Sequence, residues 1–259
     1  LDLKKMPVWI HCKGYLVRDD NMKPLYMIGC INEIGERQKA DNISGLLGET
    51  GFRQYMDQQD TPLETGYLLR IGIDHFKEIN DNFGQEYGDF VLRKTADCIS
   101  GCISEVQKVY KLVADEFLIM DVSSDEVRDA EKLYDKMREE IGRFIEANEF
   151  KVMYTVSGGI VPFGTLGGDQ YSEALKLTDF ALNEAKKLGR NRCYIYNEET
   201  YRRFLRKREI TQELRDAVNN GFQGFTAFYQ PVFAEDKKVP YGAEALMRFT
   251  SEKFGMVSP

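Results

Sequence analysis

The chain has 259 residues, of which 42% are hydrophobic and 30% charged, and its formal net charge is −7. This composition suits one or two ordinary globular domains. The acidic balance excludes a surface that coats nucleic acid, but it stays compatible with a small nucleotide in a local basic pocket. No apolar run reaches the length of a membrane span, so we expect no membrane contact by this chain. The five cysteines show no metal-ligand spacing, which fits a cytoplasmic location, although the parent protein could be membrane-tethered.

The first 40 residues predict a β-hairpin followed by a connecting helix. Two apolar runs at 9–18 and 25–32 flank a polar turn at 19–21, a pattern typical of paired strands. The charged stretch 33–41 then predicts a linker helix.

The next signal is a buried strand that ends at a carboxylate. Residues 67–73 form an apolar run between Gly66 and Asp74, which indicates a strand with both faces covered. A carboxylate just past such a strand lies where open α/β sheets bind ligands.

A second hairpin carries two adjacent acids at its tip. Short apolar runs at 109–112 and 117–120 surround Asp115 and Glu116, which predicts two strands joined by a tight connection. Adjacent acids in this place can bind a hard cation. They can equally be solvated turn residues, and the residues alone leave both interpretations open.

Two long helices complete this part of the chain. Residues 125–148 and 172–188 carry apolar side chains at steps of three and four, and Gly189 follows the second run. This spacing predicts amphipathic helices that pack on a core, and the glycine is typical of a helix end. A basic run at 202–208 then predicts a solvated linker helix.

Five segments, in their order and spacing, resemble the GGDEF family, which comprises the diguanylate cyclases that join two GTP molecules into cyclic di-GMP. The segments are 41–47, 74–81, 88–89, 113–117 and 185–192. The resemblance implies a cyclase-like α/β fold with a central, mostly antiparallel sheet flanked by helices.

The ends of the chain resemble two other families. The N-terminal hairpin is similar to the last strands of a PAS sensor domain. The segments after residue 209 resemble the opening of an EAL domain, a family of cyclic di-GMP phosphodiesterases. We therefore expect three parts: the end of a PAS-like domain with its connecting helix at 1–40, a GGDEF domain at 41–200, and a linker helix with a truncated EAL segment at 201–259.

The resemblance assigns roles to individual residues. The guanine-reading positions of the family fall on Asn80 and Asp89, and its phosphate-binding cations fall on Lys77, Lys186 and Arg190. The residues themselves leave other roles open, because Asn80 could cap the next helix and the cations could be ordinary charges near a helix end.

The acidic site departs from the family pattern. The first metal-binding aspartate of the family is Gly72 here, and the two glycines before the acids are Val113 and Ala114. Asp115 keeps the second metal carboxylate, with Glu116 beside it, so we expect weak or absent magnesium binding at a degenerate catalytic site. Because valine is disfavoured at positive φ, we also expect a reshaped hairpin tip with Val113 in the space of a nucleotide.

In the C-terminal segment, Glu244 matches the metal-binding glutamate of the EAL motif. Gln230 and Arg248 match substrate-contact positions of that family.

These features favour a catalytically inactive GGDEF domain that regulates a downstream EAL phosphodiesterase, with GTP as its candidate ligand. We expect a homodimer through the N-terminal helix or the GGDEF domain, and no nucleic-acid partner. Two alternatives stay open: a working diguanylate cyclase, and an interaction module that binds no nucleotide.

Overall fold

The computed structural model of the protein describes residues 10–18, 23–33, 40–124, 126–147, 152–233 and 239–257. The chain divides into two compact units, Leu1–Tyr196 and Asn197–Pro259. The turn 19–21 and most of the predicted connecting helix fall on residues outside the described ranges.

The elements of the first unit follow one another as strands and helices in mixed order. They are β1 (Ile10–Arg18), β2 (Pro24–Glu33), β3 (Leu47–Gly48), α1 (Glu49–Asp57), β4 (Tyr67–Ile73), α2 (Phe76–Phe83), α3 (Gln85–Cys102), β5 (Lys108–Lys111), β6 (Glu116–Asp121), α4 (Val127–Ala147), β7 (Val156–Pro162), α5 (Gln170–Lys187) and β8 (Cys193–Ile195). Strands β1 and β2 form the predicted antiparallel hairpin.

The main sheet has six strands in the order β3-β5-β6-β4-β7-β8. Its three central pairings, β5 with β6, β6 with β4, and β4 with β7, are antiparallel, and the two outer pairings are parallel. The predicted cyclase-like α/β fold, with a mostly antiparallel central sheet flanked by helices, is confirmed.

Strand β4 lies at the centre because both of its faces are covered. Its odd-numbered side chains join a core with α3 and α4, whereas Leu68 joins a second core with α1 and α5. Successive side chains of a strand point to opposite faces, so this continuous apolar run packs helices on both sides. The sheet end after β4 is thereby fixed between helices, next to the acidic hairpin.

The two long helices agree with their predicted spans to within two residues. Helix α5 starts at Gln170, because Asp169 caps it by accepting a hydrogen bond from the Ser172 backbone N–H at 3.3 Å. It ends before Gly189, whose φ of +117° suits a residue without a side chain.

The second unit contains α6 (Glu198–Asn219), β9 (Phe225–Phe233), β10 (Pro240–Ser251) and β11 (Gly255–Val257). The basic run lies within α6, where Arg202 and Arg203 pair with glutamates one turn earlier. The three strands form an antiparallel sheet in the order β11-β10-β9. In the described parts of both units, no helix is long and apolar enough to cross a membrane.

Candidate functional site

A cavity of about 620 Å³ lies beside the hairpin that joins β5 and β6. Its walls come from the loop before β3, from α2 and α3, and from the hairpin tip. Four of the predicted site residues meet there: Lys77, Asn80, Asp89 and Asp115.

Asn80 lines this cavity and carries an acceptor without a partner. Its Oδ1 atom is buried and has no hydrogen-bond partner among the described residues. Such a buried, unsatisfied oxygen costs about 1–3 kcal/mol, a cost that a hydrogen-bond donor would remove. The alternative role as a helix cap is wrong, because Gly84 is the N-cap residue of α3 and no side chain caps that helix.

Gly88 makes the position of Asn80 possible. A Cβ atom at residue 88 would lie 1.8 Å from Asn80 Oδ1. Two atoms that are not bonded to each other cannot come this close. The absent side chain of Gly88 therefore leaves the space in which the amide of Asn80 lies between α2 and α3.

The hairpin tip differs from the expected arrangement. The positive φ falls on Ala114, at 55°, and not on Val113. The Val113 side chain is 72% exposed and is not among the residues that line the cavity. Val113 therefore does not narrow this cavity, and the left-handed conformation is carried by the smaller neighbouring residue.

The buried ammonium group of Lys111 stabilises the backbone of the hairpin tip. The Nζ atom of Lys111 donates hydrogen bonds to the carbonyl oxygens of Leu112 at 2.8 Å and Ala114 at 2.5 Å. Burial lowers the pKa of the Lys111 ammonium, whereas the nearby carboxylates of Asp41 and Asp115 oppose that shift. Sequence reasoning missed Lys111, although a lysine between two apolar residues at the end of a predicted strand is a usable signal.

The two adjacent acids of the hairpin point to different surroundings. Asp115 lines the cavity. Burial raises the pKa of its carboxyl group, the Lys186 ammonium opposes this shift, and the Glu116 carboxylate adds to it. Glu116 instead accepts a hydrogen bond from Arg70 Nε at 2.6 Å, and Arg70 also donates to the Leu175 carbonyl oxygen at 3.0 Å. Glu116 therefore anchors the sheet to α5 and does not line the cavity.

Asp74 is a structural residue and not a ligand. It is 2% exposed and accepts hydrogen bonds from Ser157 Oγ and Thr155 Oγ1, both at 2.7 Å. The backbone N–H of Asn191 donates a third at 3.2 Å. The expectation that this carboxylate lies at the ligand position is wrong, because its oxygens tie the end of β4 to β7 and to the loop after α5.

The remaining predicted cations lie at the end of α5. Lys186 is half-buried, and its Nζ atom lies 3.0 Å from the point where a Cβ atom of residue 72 would stand. Arg190 is exposed in the loop that follows, with φ of 61°, and neither cation is among the cavity-lining residues.

These residues do not fit a dedicated magnesium site. In the described part of the chain, no three His, Cys, Asp or Glu side chains converge on one point. Mg²⁺ requires oxygen ligands in near-octahedral geometry. Asp115 supplies one carboxylate, and the first metal-binding position implied by the family resemblance is Gly72, with the Lys186 ammonium beside it.

In the second unit the three predicted residues share one face of a hairpin. Gln230 lies directly opposite Glu244 in the β9–β10 pairing, and Arg248 follows Glu244 by two alternations along β10. The Arg248 guanidinium lies 5.9 Å from the centre of the Phe228 ring.

Comparison with known proteins identifies the first unit. The profile described as "Diguanylate cyclase, GGDEF domain" matches residues 38–192, which is more than half of the chain, so the chain belongs to the GGDEF family. The structure is similar to that of the GGDEF domain of TpbB (YfiN) from Pseudomonas aeruginosa, with a TM-score of 0.55 at 23% identity, over 64% of this chain and 99% of that one.

Two curated relatives, both from Pseudomonas aeruginosa, extend the similarity. The chain is 27% identical over 233 residues to the cyclic di-GMP phosphodiesterase NbdA, covering 86% of this chain and 29% of that protein. It is 25% identical to the bifunctional diguanylate cyclase/cyclic di-GMP phosphodiesterase MucR, covering 74% and 27%. The chain thus spans less than a third of the length of either relative.

Proposed function

We propose that this chain is the regulatory part of a cyclic di-GMP signalling protein. Its GGDEF domain binds a guanine nucleotide, makes no cyclic di-GMP, and controls a downstream EAL phosphodiesterase. The observation that carries the nucleotide-binding step is the unsatisfied Asn80 oxygen in a cavity that also contains Asp89 and Lys77.

The chemistry of the cavity favours guanine over adenine. The Asn80 oxygen and the Asp89 carboxylate are both acceptors. Guanine presents two neighbouring donors, N1–H and the N2 amino group, whereas adenine presents the N6 amino group beside N1, which is itself an acceptor. The neighbouring Lys77 ammonium suits a phosphate, because Lys is a common point-charge partner of phosphate groups. A site built from acceptors discriminates strongly against a base that leaves them unpaired.

The acidic site supports binding without synthesis. Joining two GTP molecules is a phosphoryl-type transfer, which depends on metal ions that neutralise developing charge. With Gly72 in place of a carboxylate and Glu116 held by Arg70, Asp115 is left as the single acid of the hairpin that lines the cavity. We expect this loss to damage catalysis more than binding.

The proposed output domain rests on the second unit and on the relatives. The match to NbdA is longer than the GGDEF range 38–192, so it includes residues beyond that domain. Gln230, Glu244 and Arg248 share one hairpin face, as the opening of a substrate-binding EAL site requires. We therefore assign 201–259 to the start of an EAL domain and 1–40 to the end of a PAS-like sensor.

Calorimetric titration tests the nucleotide assignment. GTP should bind and ATP should bind at least about tenfold more weakly, because adenine N1 is an acceptor and leaves one of the two acceptors of the site unpaired. The Asp89→Ala variant should lose about 1–3 kcal/mol of GTP binding. The control is Asp97→Ala, which removes an exposed acid of the same helix that pairs with Lys94. Equal GTP affinity in wild type and Asp89→Ala would refute the guanine site, and absence of GTP binding would favour the interaction module.

A product assay tests the loss of synthesis. Concentrated protein incubated with GTP and magnesium should give no cyclic di-GMP on chromatography. Clear product formation would instead support the working cyclase. The regulatory role is tested in the parent protein, whose cyclic di-GMP cleavage should change when GTP is added.

A further inference from the structure

The ammonium group of Lys186 lies next to Gly72. The Nζ atom of Lys186 lies 3.0 Å from the Cβ position of residue 72, and its Cε atom lies 3.4 Å from it. A carboxylate at residue 72 would reach into this space, so the ammonium of Lys186 occupies the room that such a carboxylate would need.

The packing of α5 fixes Lys186 in this place. A Cβ atom at Gly159 of β7 would lie 2.3 Å from the Leu182 backbone nitrogen. The missing side chain of Gly159 therefore lets α5 approach the sheet closely, one turn before Lys186. Leu182 also borders the Cβ position of Gly72, at 3.2 Å, so helix and strand meet at the point where Lys186 reaches across.

The ammonium of Lys186 acts on the same carboxylate that a metal would use. The positive charge of Lys186 attracts the negative charge of the Asp115 carboxylate. Lys111, buried under the hairpin tip, acts on Asp115 in the same direction. Two lysines thus already compensate the one acid that the hairpin presents to the cavity.

We propose that the site binds its nucleotide in the metal-free form, with the Lys186 ammonium in place of a divalent cation. This inference rests on the proposed function, since it specifies which form of the guanine nucleotide the domain recognises. A divalent cation between Asp115 and residue 72 would lie against the ammonium of Lys186 and would be repelled. It would also find one carboxylate where a hard cation needs several oxygen ligands.

Calorimetric titration of the chain with GTP in excess EDTA and in excess magnesium chloride tests this inference. We expect the two dissociation constants to agree within about threefold, which is less than one unit of log Kd. In EDTA, Lys186→Gln should weaken binding about tenfold or more, the equivalent of one charged hydrogen bond. The matched control is Lys187→Gln, because Lys187 is the next residue but is exposed and pairs with Glu184 at 2.6 Å. It should bind GTP like wild type.

A second variant restores a carboxylate at residue 72. Gly72→Asp places a carboxylate against the Lys186 ammonium, so we expect weaker GTP binding in EDTA and recovery of affinity in magnesium. Gly72→Ala adds the same Cβ atom without a charge and measures the effect of crowding. Far-UV circular dichroism of both variants checks that the fold is kept, and the Lys186→Gln comparison remains decisive if either variant fails to fold.

The outcomes separate this inference from the proposed function. Wild-type affinity that rises about tenfold or more with magnesium would overturn the metal-free mode while leaving nucleotide binding in place. Equal affinities of Lys186→Gln and Lys187→Gln would also overturn it. Absence of GTP binding in both buffers would overturn the inference together with the proposed function.

Discussion

Replacing Asp74 by alanine should destabilise the GGDEF domain strongly. The carboxylate is 2% exposed and accepts hydrogen bonds from Ser157 Oγ, Thr155 Oγ1 and the Asn191 backbone N–H. Hydrogen bonds to a charged group contribute about 1.5–3 kcal/mol each. Alanine would lose all three, two of which are short at 2.7 Å, so we expect a loss of about 3–5 kcal/mol, at the upper end of single substitutions.

Thermal unfolding followed by circular dichroism measures this loss. In a domain of this size, 1 kcal/mol shifts Tm by about 2–4 °C, which predicts a decrease of about 6–20 °C. Because the second unit could unfold separately, hydrogen exchange of the β4 and β7 amides should show the same loss of protection. The control is Asp60→Ala, which removes an exposed acid. A Tm within about 2 °C of wild type would refute the structural role of Asp74.

Three further predictions concern the cavity. Gly88→Ala should abolish measurable GTP binding in calorimetry, because the new Cβ atom would displace Asn80 Oδ1 from a distance of 1.8 Å; binding at wild-type strength would contradict the role of Asn80. Ala114→Gly should raise the free energy of unfolding by up to about 1 kcal/mol, since it relieves a left-handed residue, and a lower Tm would show that φ of 55° costs nothing here. Asp115→Asn should raise Tm at about pH 7. Burial raises the folded-state pKa of Asp115 above its ordinary 3.8, so wild-type stability falls as pH rises through that window. The advantage of asparagine should vanish below about pH 3.8, and an equal gain at both pH values would contradict this cause.

Periodicity in the sequence predicted several elements of the first unit. Helices α4 and α5 follow from apolar residues at steps of three and four, and β4 follows from its continuous apolar run. These patterns report on burial, which a single segment encodes by itself. The same holds for the acidic hairpin, whose two short apolar runs become β5 and β6.

The parts that sequence reasoning missed depend on contacts between distant segments. Asp74 appears exposed to ligands until the loop after α5 supplies the Asn191 N–H, 117 residues away. Glu116 appears to belong to the site until its pairing register places it beside Arg70, which lies two residues before its partner Gly72. An arginine in an apolar strand was the available signal, because a buried guanidinium requires a carboxylate partner.

The geometry also explains how such a domain could lose catalysis and still keep a cavity that binds a nucleotide. The cavity proposed to bind the nucleotide is built mainly from α2 and α3, where Gly88 leaves room for Asn80. The metal ligand of the family belongs to β4, whose position is secured by packing on both faces and by Asp74 at its end. Replacement of that ligand by Gly72 removes a carboxylate without moving any wall of the cavity. A domain with this arrangement can lose its chemistry and keep its ligand, which is the physical condition that a nucleotide-sensing regulator has to meet.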